Sequence, residues 1–379
     1  MDKKPTPEAS QENQDKPHQN RVRLKWFILL GSVVVVIVAV VLGLMLLFSS
    51  KKTYDSVPAT TPTKETAKKD PSKLDPYGLG TAPYAYIPWQ GSLDEARAES
   101  DAKTFMAAFI VNASGQDCTP AWDGDVSLGL DSQRSTEIAQ DMARLRTNGG
   151  DVVLSFGGAT GTELAQGCKD SAALKIAYAR VIDTYQLNKI DLDIEKDALA
   201  DTASNDRRAD ALASLQQDKP NLKIWLTLAV MPTGLDQENL DLIKQMQSKG
   251  VVISGVNIMV MDYGQNTVDM GQAAISAATA TFAQLKTLYP NNTDAEIWKT
   301  LGLTPMIGVN DTTPETFTLQ DAQKLRDFAT QKGVGMLSQW NIDRDKSCPN
   351  NAAELSDSCS GVTQTPYQFV KALYIDASK

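Results

Sequence analysis

The sequence predicts an α/β protein: a (β/α)8 barrel of the TIM type, preceded by a single transmembrane helix and a disordered linker. Three observations lead there. An uncharged apolar run fills residues 26–48. A stretch rich in Thr, Pro, Lys and Asp continues to residue 79. From 80 to 379, short apolar β-rich runs alternate with helical periodicity.

Residues 1–25 read as a polar cytoplasmic tail, and they hold the one histidine of the chain, His18. Trp26 to Phe48 (WFILLGSVVVVIVAVVLGLMLLF) is long enough to cross a bilayer as a helix. A cleaved signal peptide is the alternative, but the run is too long and no Ala-x-Ala-like site follows it. Arg21, Arg23 and Lys25 precede the run, and Lys51 and Lys52 follow it. This excess upstream favours a single-pass membrane protein with its C-terminal domain outside the cell. Residues 49–79 have little to bury and read as a flexible stalk. Four cysteines, Cys118, Cys168, Cys348 and Cys359, lie downstream with no Cys-x-x-Cys spacing. Outside the cell an even number implies two disulfides, with three pairings open.

The β-rich runs are APYAYIPW (82–89), TFMAAFIVN (104–112), DVVLSFGG (151–158), KIDLDIE (189–195), KIWLTLAV (223–230), VNIMVMDY (256–263), GLTPMIG (302–308) and GMLSQWNI (335–342). Between them come helical patterns near Ser92, at 135–147, 171–185, 206–217, 240–250, 273–289 and 319–333, and a last one at 365–377. Eight of each, with no Gly-x-Gly-x-x-Gly turn, favours a closed barrel over an open doubly wound sheet.

KIDLDIE sets Asp191, Asp193 and Glu195 on one strand face and Ile190, Leu192 and Ile194 on the other. In a barrel the apolar face meets the helices, so the acids point inward. Glu195 falls at the C-terminal end of the strand, where barrel enzymes keep their sites. With His18 in the tail, a Ser-His-Asp triad or a His-ligated zinc site in the folded part is excluded, and acid–base chemistry falls to carboxylates, Tyr or Lys. The net charge of −9 argues against nucleic acid. A divalent-cation site at Asp191 and Asp193 is an alternative reading, but it leaves Glu195 and Trp340 unexplained.

NKIDLDIE resembles the Asp-x-x-Asp-x-Asp-x-Glu signature of family 18 glycoside hydrolases, the chitinase family. LSFGG (154–158) resembles that family's third-strand motif, and VNIMVMDYG (256–264) its sixth-strand motif. LTPMIGVND (303–311), LSQWNIDRDKSC (337–348), CTPAW (118–122) and CSG (359–361) are similar to features of one bacterial chitinase subgroup. The likeness spans residues 77–379.

The resemblance implies substrate-assisted, retaining hydrolysis, an exception to the two-carboxylate scheme. Glu195 would be the acid, its pKa raised by Asp193. Asp193 would orient the substrate's acetamido group, and Asp191 would share a proton or hydrogen bond with Asp193. Trp340 would floor the sugar whose bond is cut. Asp262 and Tyr263 would bind that sugar and its acetamido group, Met259 would line the pocket, Ser155 would bond the inner acids, and Asn310 and Asp311 would stand at the rim. Cys118 would pair with Cys168, and Cys348 with Cys359. No metal or cofactor is implied. The sequence departs from the family at Asn188, where a buried Asp is usual, at Lys189, where Gly is usual, and at Met261, where Tyr is common.

Met259 and Met261 read equally well as core. Trp122, in a loop after the second strand, is expected to stack on sugar. Trp225, inside a strand, is expected to pack, and Trp89 stands open between the two. Arg344 and Asp345 read as a solvated pair. The expected activity is a membrane-anchored extracellular chitinase acting on β-1,4-linked N-acetylglucosamine polymers, with the barrel's partners being chitin or another N-acetylglucosamine-containing glycan and the membrane. Short loops point to an open cleft and endo action, and the lack of a visible carbohydrate-binding module points to soluble or accessible chains. The alternatives are an endo-β-N-acetylglucosaminidase acting on peptidoglycan or glycoprotein glycans, and a non-catalytic, lectin-like barrel.

Overall fold

The computed structural model describes residues 69–87, 91–264 and 269–376. The expected tail, the apolar run 26–48, most of the stalk and Trp89 lie outside the described residues. Among the described residues no helix is long and apolar enough to cross a membrane.

Eight parallel strands form one ring. β1 comes in two pieces, Gly80–Thr81 and Tyr84–Tyr86. β2 is Thr104–Asn112, β3 Asp151–Gly157, β4 Lys189–Asp193, β5 Lys223–Ala229, β6 Gly255–Met259, β7 Leu301–Thr304 and β8 Met336–Leu337. Each pairs with the next in parallel. The two pieces of β1 join the ends: Gly80 is in register with Met336 of β8, and Tyr84 with Met106 of β2. The sheet therefore has no free edge, as a (β/α)8 barrel requires. β7 and β8 are shorter than the expected runs. Pro305, just after β7, has no N–H to extend the ladder.

The main helices are α1 (Leu93–Ser100), α2 (Gln133–Thr147), α3 (Ser171–Thr184), α4 (Thr202–Asp218), α5 (Gln237–Ser248), α6 (Met270–Leu288), α7 (Leu319–Lys332) and a short α8 (Gln368–Ala372). Local chemistry sets their ends. Ser132, Asp170 and Asp236 cap α2, α3 and α5 through their side chains, and Thr318 with Asp321 makes a capping box on α7. Gly333 stops α7 in the left-handed conformation, at φ 75°.

Strand alternation builds two cores. Ile190, Leu192 and Ile194 join the large apolar shell between strands and helices. Tyr84, Met106, Ala108, Val153, Trp225 and Met336 fill the lumen. Trp225 fits because its neighbours are glycines: a Cβ on Gly255 would stand 2.3 Å from its ring. Trp225 thus packs, as expected.

Residues 69–79, read as stalk, lie against the N-terminal end of the barrel. Leu74 is buried, and its N–H donates to Asn292 Oδ1 at 3.0 Å. Asp75 accepts from Lys69 and Lys223, each at 2.8 Å. Lys223 and Lys189 stand over the Tyr77 ring, 5.3 and 5.8 Å from its centroid. Lys189 is buried in an ion pair with Asp151 of β3.

Two disulfides are present, Cys118–Cys168 and Cys348–Cys359, the pairing the resemblance implied. The first joins the loops after β2 and β3, and the second closes a short loop after β8.

Candidate active site

An open cavity of about 500 Å³ lies at the C-terminal ends of the strands. Asp193, Glu195, Met259, Asp262 and Trp340 line it, and so does Met261. Asp191 sits below, fully buried on the same face of β4 as Asp193.

The two inner acids differ in their surroundings. Asp191 takes three hydroxyl hydrogen bonds: Ser155 Oγ to Oδ2 at 2.6 Å, Tyr84 Oη to Oδ2 at 3.0 Å, and Thr227 Oγ1 to Oδ1 at 2.7 Å. A second tier supports them, with Asn257 Nδ2 donating to Thr227 at 3.0 Å and Thr304 Oγ1 donating to Asn257 at 2.8 Å. Burial pushes the Asp191 carboxyl up to about 6, and the hydroxyls limit the rise. Asp193 is 4% exposed, and its Oδ1 has no partner among the described residues. Burial, then the charges of Glu195 and Asp191, push it well above the carboxylate range. Glu195 is raised chiefly by burial, with Lys196 opposing. Removal from water comes first in both shifts, and the Asp193–Glu195 repulsion adds to that of Asp193. Burial thus favours the neutral form of Asp193 and Glu195, while Asp191 is anchored by donors.

Aromatic rings form the floor. Trp340 stacks on Phe109 with centroids 5.6 Å apart and 22° between planes, and Tyr84 meets Trp340 edge-on at 5.8 Å. Gly157 lets β3 approach the acids, since a Cβ there would lie 2.0 Å from the Asp193 carbonyl oxygen.

The sixth strand brings both alternation and its failure. Met259 and Met261 face the cavity while Val260 is buried in the shell, as period two requires. The strand ends at Met259, and Asp262 adopts φ 50°. That turn aims Asp262 at the cavity, where its Oδ1 accepts from Thr312 N at 2.9 Å. It also sends Tyr263 outward. Tyr263 is buried with the shell core and does not line the cavity, and its backbone N–H donates to Glu315 at 3.0 Å. Tyr263 therefore does not take the place of the hydroxyl missing at Met261. Asn310 also falls outside the lining. It is buried, and its Nδ2 donates to the carbonyls of Met306 and Gly308 at 2.8 and 2.9 Å, holding its own loop. Asp311 beside it does line the cavity.

Three more expectations are corrected. Trp122 is fully buried, with Nε1 donating to Tyr185 Oη at 2.7 Å, so it packs and does not stack on sugar. Arg344 and Asp345 are not a solvated pair: both are buried, Arg344 donates to Val309 O, and Asp345 accepts from Gln339, Gln364 and two backbone amides. Asn188 is exposed and accepts from Lys189 Nζ at 3.0 Å, so it is not a buried tuner of the acids. Its place, three residues before Asp191, is on the wrong side of the strand for that. Sequence reasoning missed Tyr84, Thr227, Asn257 and Phe109. All four lie in the β-rich runs, Tyr84 in 82–89, Phe109 in 104–112, Thr227 in 223–230 and Asn257 in 256–263, and strand placement was the available signal for each.

The group Cys348, Glu354 and Cys359 is dense enough to resemble a metal site, but both sulfurs are committed to the disulfide.

The catalytic domain of a hyperthermophilic chitinase from Pyrococcus furiosus is 35% identical in sequence, with a TM-score of 0.70, and the match covers 79% of this chain and 96% of that one. The chain belongs to glycoside hydrolase family 18. No family model matches the sequence. A probable bifunctional chitinase/lysozyme of Escherichia coli is 38% identical over 254 residues, 64% of this chain. Endochitinase 11 of Metarhizium anisopliae is 40% identical over 214 residues, 53% of this chain. The match spans only 28% and 41% of those two curated relatives. As a family 18 member this barrel is a glycoside hydrolase.

Proposed function

We propose that the protein is a membrane-anchored extracellular chitinase that hydrolyses β-1,4-linked N-acetylglucosamine chains by substrate-assisted, retaining catalysis. The observation that carries the reading is Asp193: a buried carboxyl with an unpartnered oxygen, open to the cavity beside Glu195. A polar atom left in that state calls for a ligand hydrogen bond.

Glu195, whose neutral form burial favours, gives its proton to the glycosidic oxygen as the bond to C1 breaks. The substrate's acetamido carbonyl oxygen attacks C1 from the opposite face and closes an oxazolinium ring. Asp193 passes its proton to Asp191 below it, and its carboxylate then accepts the acetamido N–H and balances the positive charge. Trp340 and Phe109 support the sugar, and Met259 and Met261 surround the acyl group. Water, deprotonated by Glu195, then opens the ring from the side of the departed chain, which restores the starting configuration. The name and fold of the Pyrococcus relative support the chitin reading. A peptidoglycan reading, which the name of the Escherichia relative raises, fits less well. Muramic acid carries a carboxylate, and this cavity already presents six.

The membrane part rests on the uncharged run 26–48 with its basic flanks. Alkaline extraction of cell membranes and protease shaving of intact cells test it: the protein stays in the pellet and its barrel is shaved. The activity is tested by product analysis on chito-oligosaccharides, wild type beside Glu195→Gln, with anomers read by NMR. Wild-type cleavage to β-anomers, lost in the variant, is expected. Binding without turnover by either protein, or turnover of peptidoglycan alone, would refute the reading.

A further inference from the structure

The loop after β7 folds back as a small hairpin, with Gly308–Val309 paired antiparallel to Thr316–Phe317. Its tip reaches the end of β6 and holds it at two points. At the first, Thr312 N donates to Asp262 Oδ1 at 2.9 Å. At the second, Glu315 takes the two amides that follow Asp262. Tyr263 N donates to its Oε2 and Gly264 N to its Oε1, each at 3.0 Å. Glu315 is fully buried and does not line the cavity, so it stands behind the wall that Asp262 helps to form.

A buried carboxyl is costly unless its oxygens find donors, and here both donors are backbone amides of one turn. That turn is the unusual one. Asp262 sits at φ 50°, a conformation that residues with side chains adopt rarely and keep where their surroundings impose it. Continued alternation would put residue 262, like Val260, against the helices, and residue 263 at the cavity. The left-handed step exchanges the two, and Glu315 fixes the peptide groups on its far side. The hairpin is itself braced from the β8 side. Val309 N donates to Ser360 O at 2.8 Å, and Arg344 Nη2 donates to Val309 O at 2.6 Å. Ser360 follows Cys359, which is bonded to Cys348. Glu315 therefore works from a fixed base.

We propose that Glu315 is a positioning residue of the reaction: by gripping the amides of Tyr263 and Gly264 it keeps Asp262 turned into the cavity, where its carboxyl meets the sugar. The proposal rests on the reading of Asp262 as a sugar-binding group of a chitinase site, and adds to it a residue that touches no substrate.

The test is a double-mutant cycle on chito-oligosaccharide hydrolysis, with wild type, E315Q, D262N and E315Q/D262N. Gln keeps the size of Glu315 but offers one acceptor oxygen, so its NH2 group meets one of the two amides donor to donor. E315Q is expected to lower kcat by about tenfold or more, with KM changed less than about twofold, because the misaimed carboxyl engages the sugar of the transition state poorly. D262N causes a fall at least as large. The double variant is no worse than D262N alone, because Glu315 acts only through Asp262. E315D is one methylene shorter, reaches one amide, and falls between wild type and E315Q; it carries the cycle if E315Q does not fold. Each assay is run well below the melting temperature of the least stable variant, so that lost protein is not read as lost rate. Losses that multiply in the double variant, or a wild-type kcat in E315Q, overturn the proposal. So does failure of both E315Q and E315D to fold, which makes Glu315 a structural residue alone. A fully active D262N removes Asp262 from the site and this inference with it, while the chitinase reading stands. A wild type that cleaves no chito-oligosaccharide sinks both.

Discussion

Ser155 on β3 donates to Oδ2 of Asp191 on β4 at 2.6 Å, and the two residues stand in register across the strand pair. The hydroxyl stabilises the charged form of a carboxyl that burial has already pushed up to about 6. Ser155→Ala removes that donor. A hydrogen bond to a charged group is worth about 1.5–3 kcal/mol, so the carboxyl should rise by about one to two pH units. The acid limb of the kcat/KM profile is expected to move up correspondingly, with a larger loss at pH 5 than at pH 7. A variant profile parallel to that of wild type across this range would show that Asp191 does not titrate in the working enzyme.

Asp193 bears on stability. Its folded-state pKa lies above the ordinary 3.8, chiefly through burial, so the native protein holds a proton that the unfolded chain releases. A group raised in this way contributes its stability at low pH and loses it as pH rises past the ordinary carboxylate range. Asp193→Asn places a neutral group there at every pH. The variant is therefore expected to melt at a higher temperature than wild type at pH 8, with the difference shrinking towards pH 4, while turnover falls by about a hundredfold or more. Thermal melts at the two pH values check it, and equal differences at both would contradict the sign.

What was legible in the sequence was what depends on neighbours along the chain. KIDLDIE gave the inward acids and outward Ile190, Leu192 and Ile194 because strand facing repeats every two residues. The same rule put Met259 and Met261 on one face. It failed at Tyr263, because nothing in VNIMVMDY announces that Asp262 takes φ 50° and ends the alternation. Partners distant in sequence were also out of reach. Tyr84 meets Asp191 across 107 positions, and Trp122 meets Tyr185 across 63. Arg344 looked solvated because charged side chains usually are, and only its contact with the Val309 carbonyl, 35 positions away, shows otherwise.

Trp122 and Trp340 should separate cleanly on substitution. Trp122 is enclosed, stacks edge-on against Tyr185 at 5.6 Å and donates to its hydroxyl. Trp122→Phe leaves a void and takes one of the two hydrogen bonds of the Tyr185 hydroxyl, the other being with Ser135 Oγ at 2.6 Å, for a loss of about 1–3 kcal/mol in urea unfolding, with KM for chito-oligosaccharides changed less than about twofold. Trp340 is half-buried at the cavity floor. Trp340→Ala is expected to lower kcat/KM by about tenfold or more, since a sugar face loses its aromatic support. A rise in KM for Trp122→Phe would return that residue to the substrate path.

Behind the acid ladder, Glu163 and Arg208 form an ion pair at 2.7 Å, both buried. Glu163 follows β3, and Arg208 lies on α4, which follows β4. Arg208 also donates to Asn205, and neighbouring Arg207 Nε donates to Ala165 O at 2.9 Å. Together they tie the loop after β3 to the helix that leaves the catalytic strand. Replacing both partners with apolar groups of similar size can be tolerated, but removing one leaves a buried charge without its counterpart. Arg208→Ala should therefore cost about 3–5 kcal/mol of unfolding free energy, read from the urea midpoint. The paired change Glu163→Gln with Arg208→Met should recover a large part of that loss. If the double variant is no more stable than Arg208→Ala alone, the cost comes from lost packing and not from the stranded carboxylate.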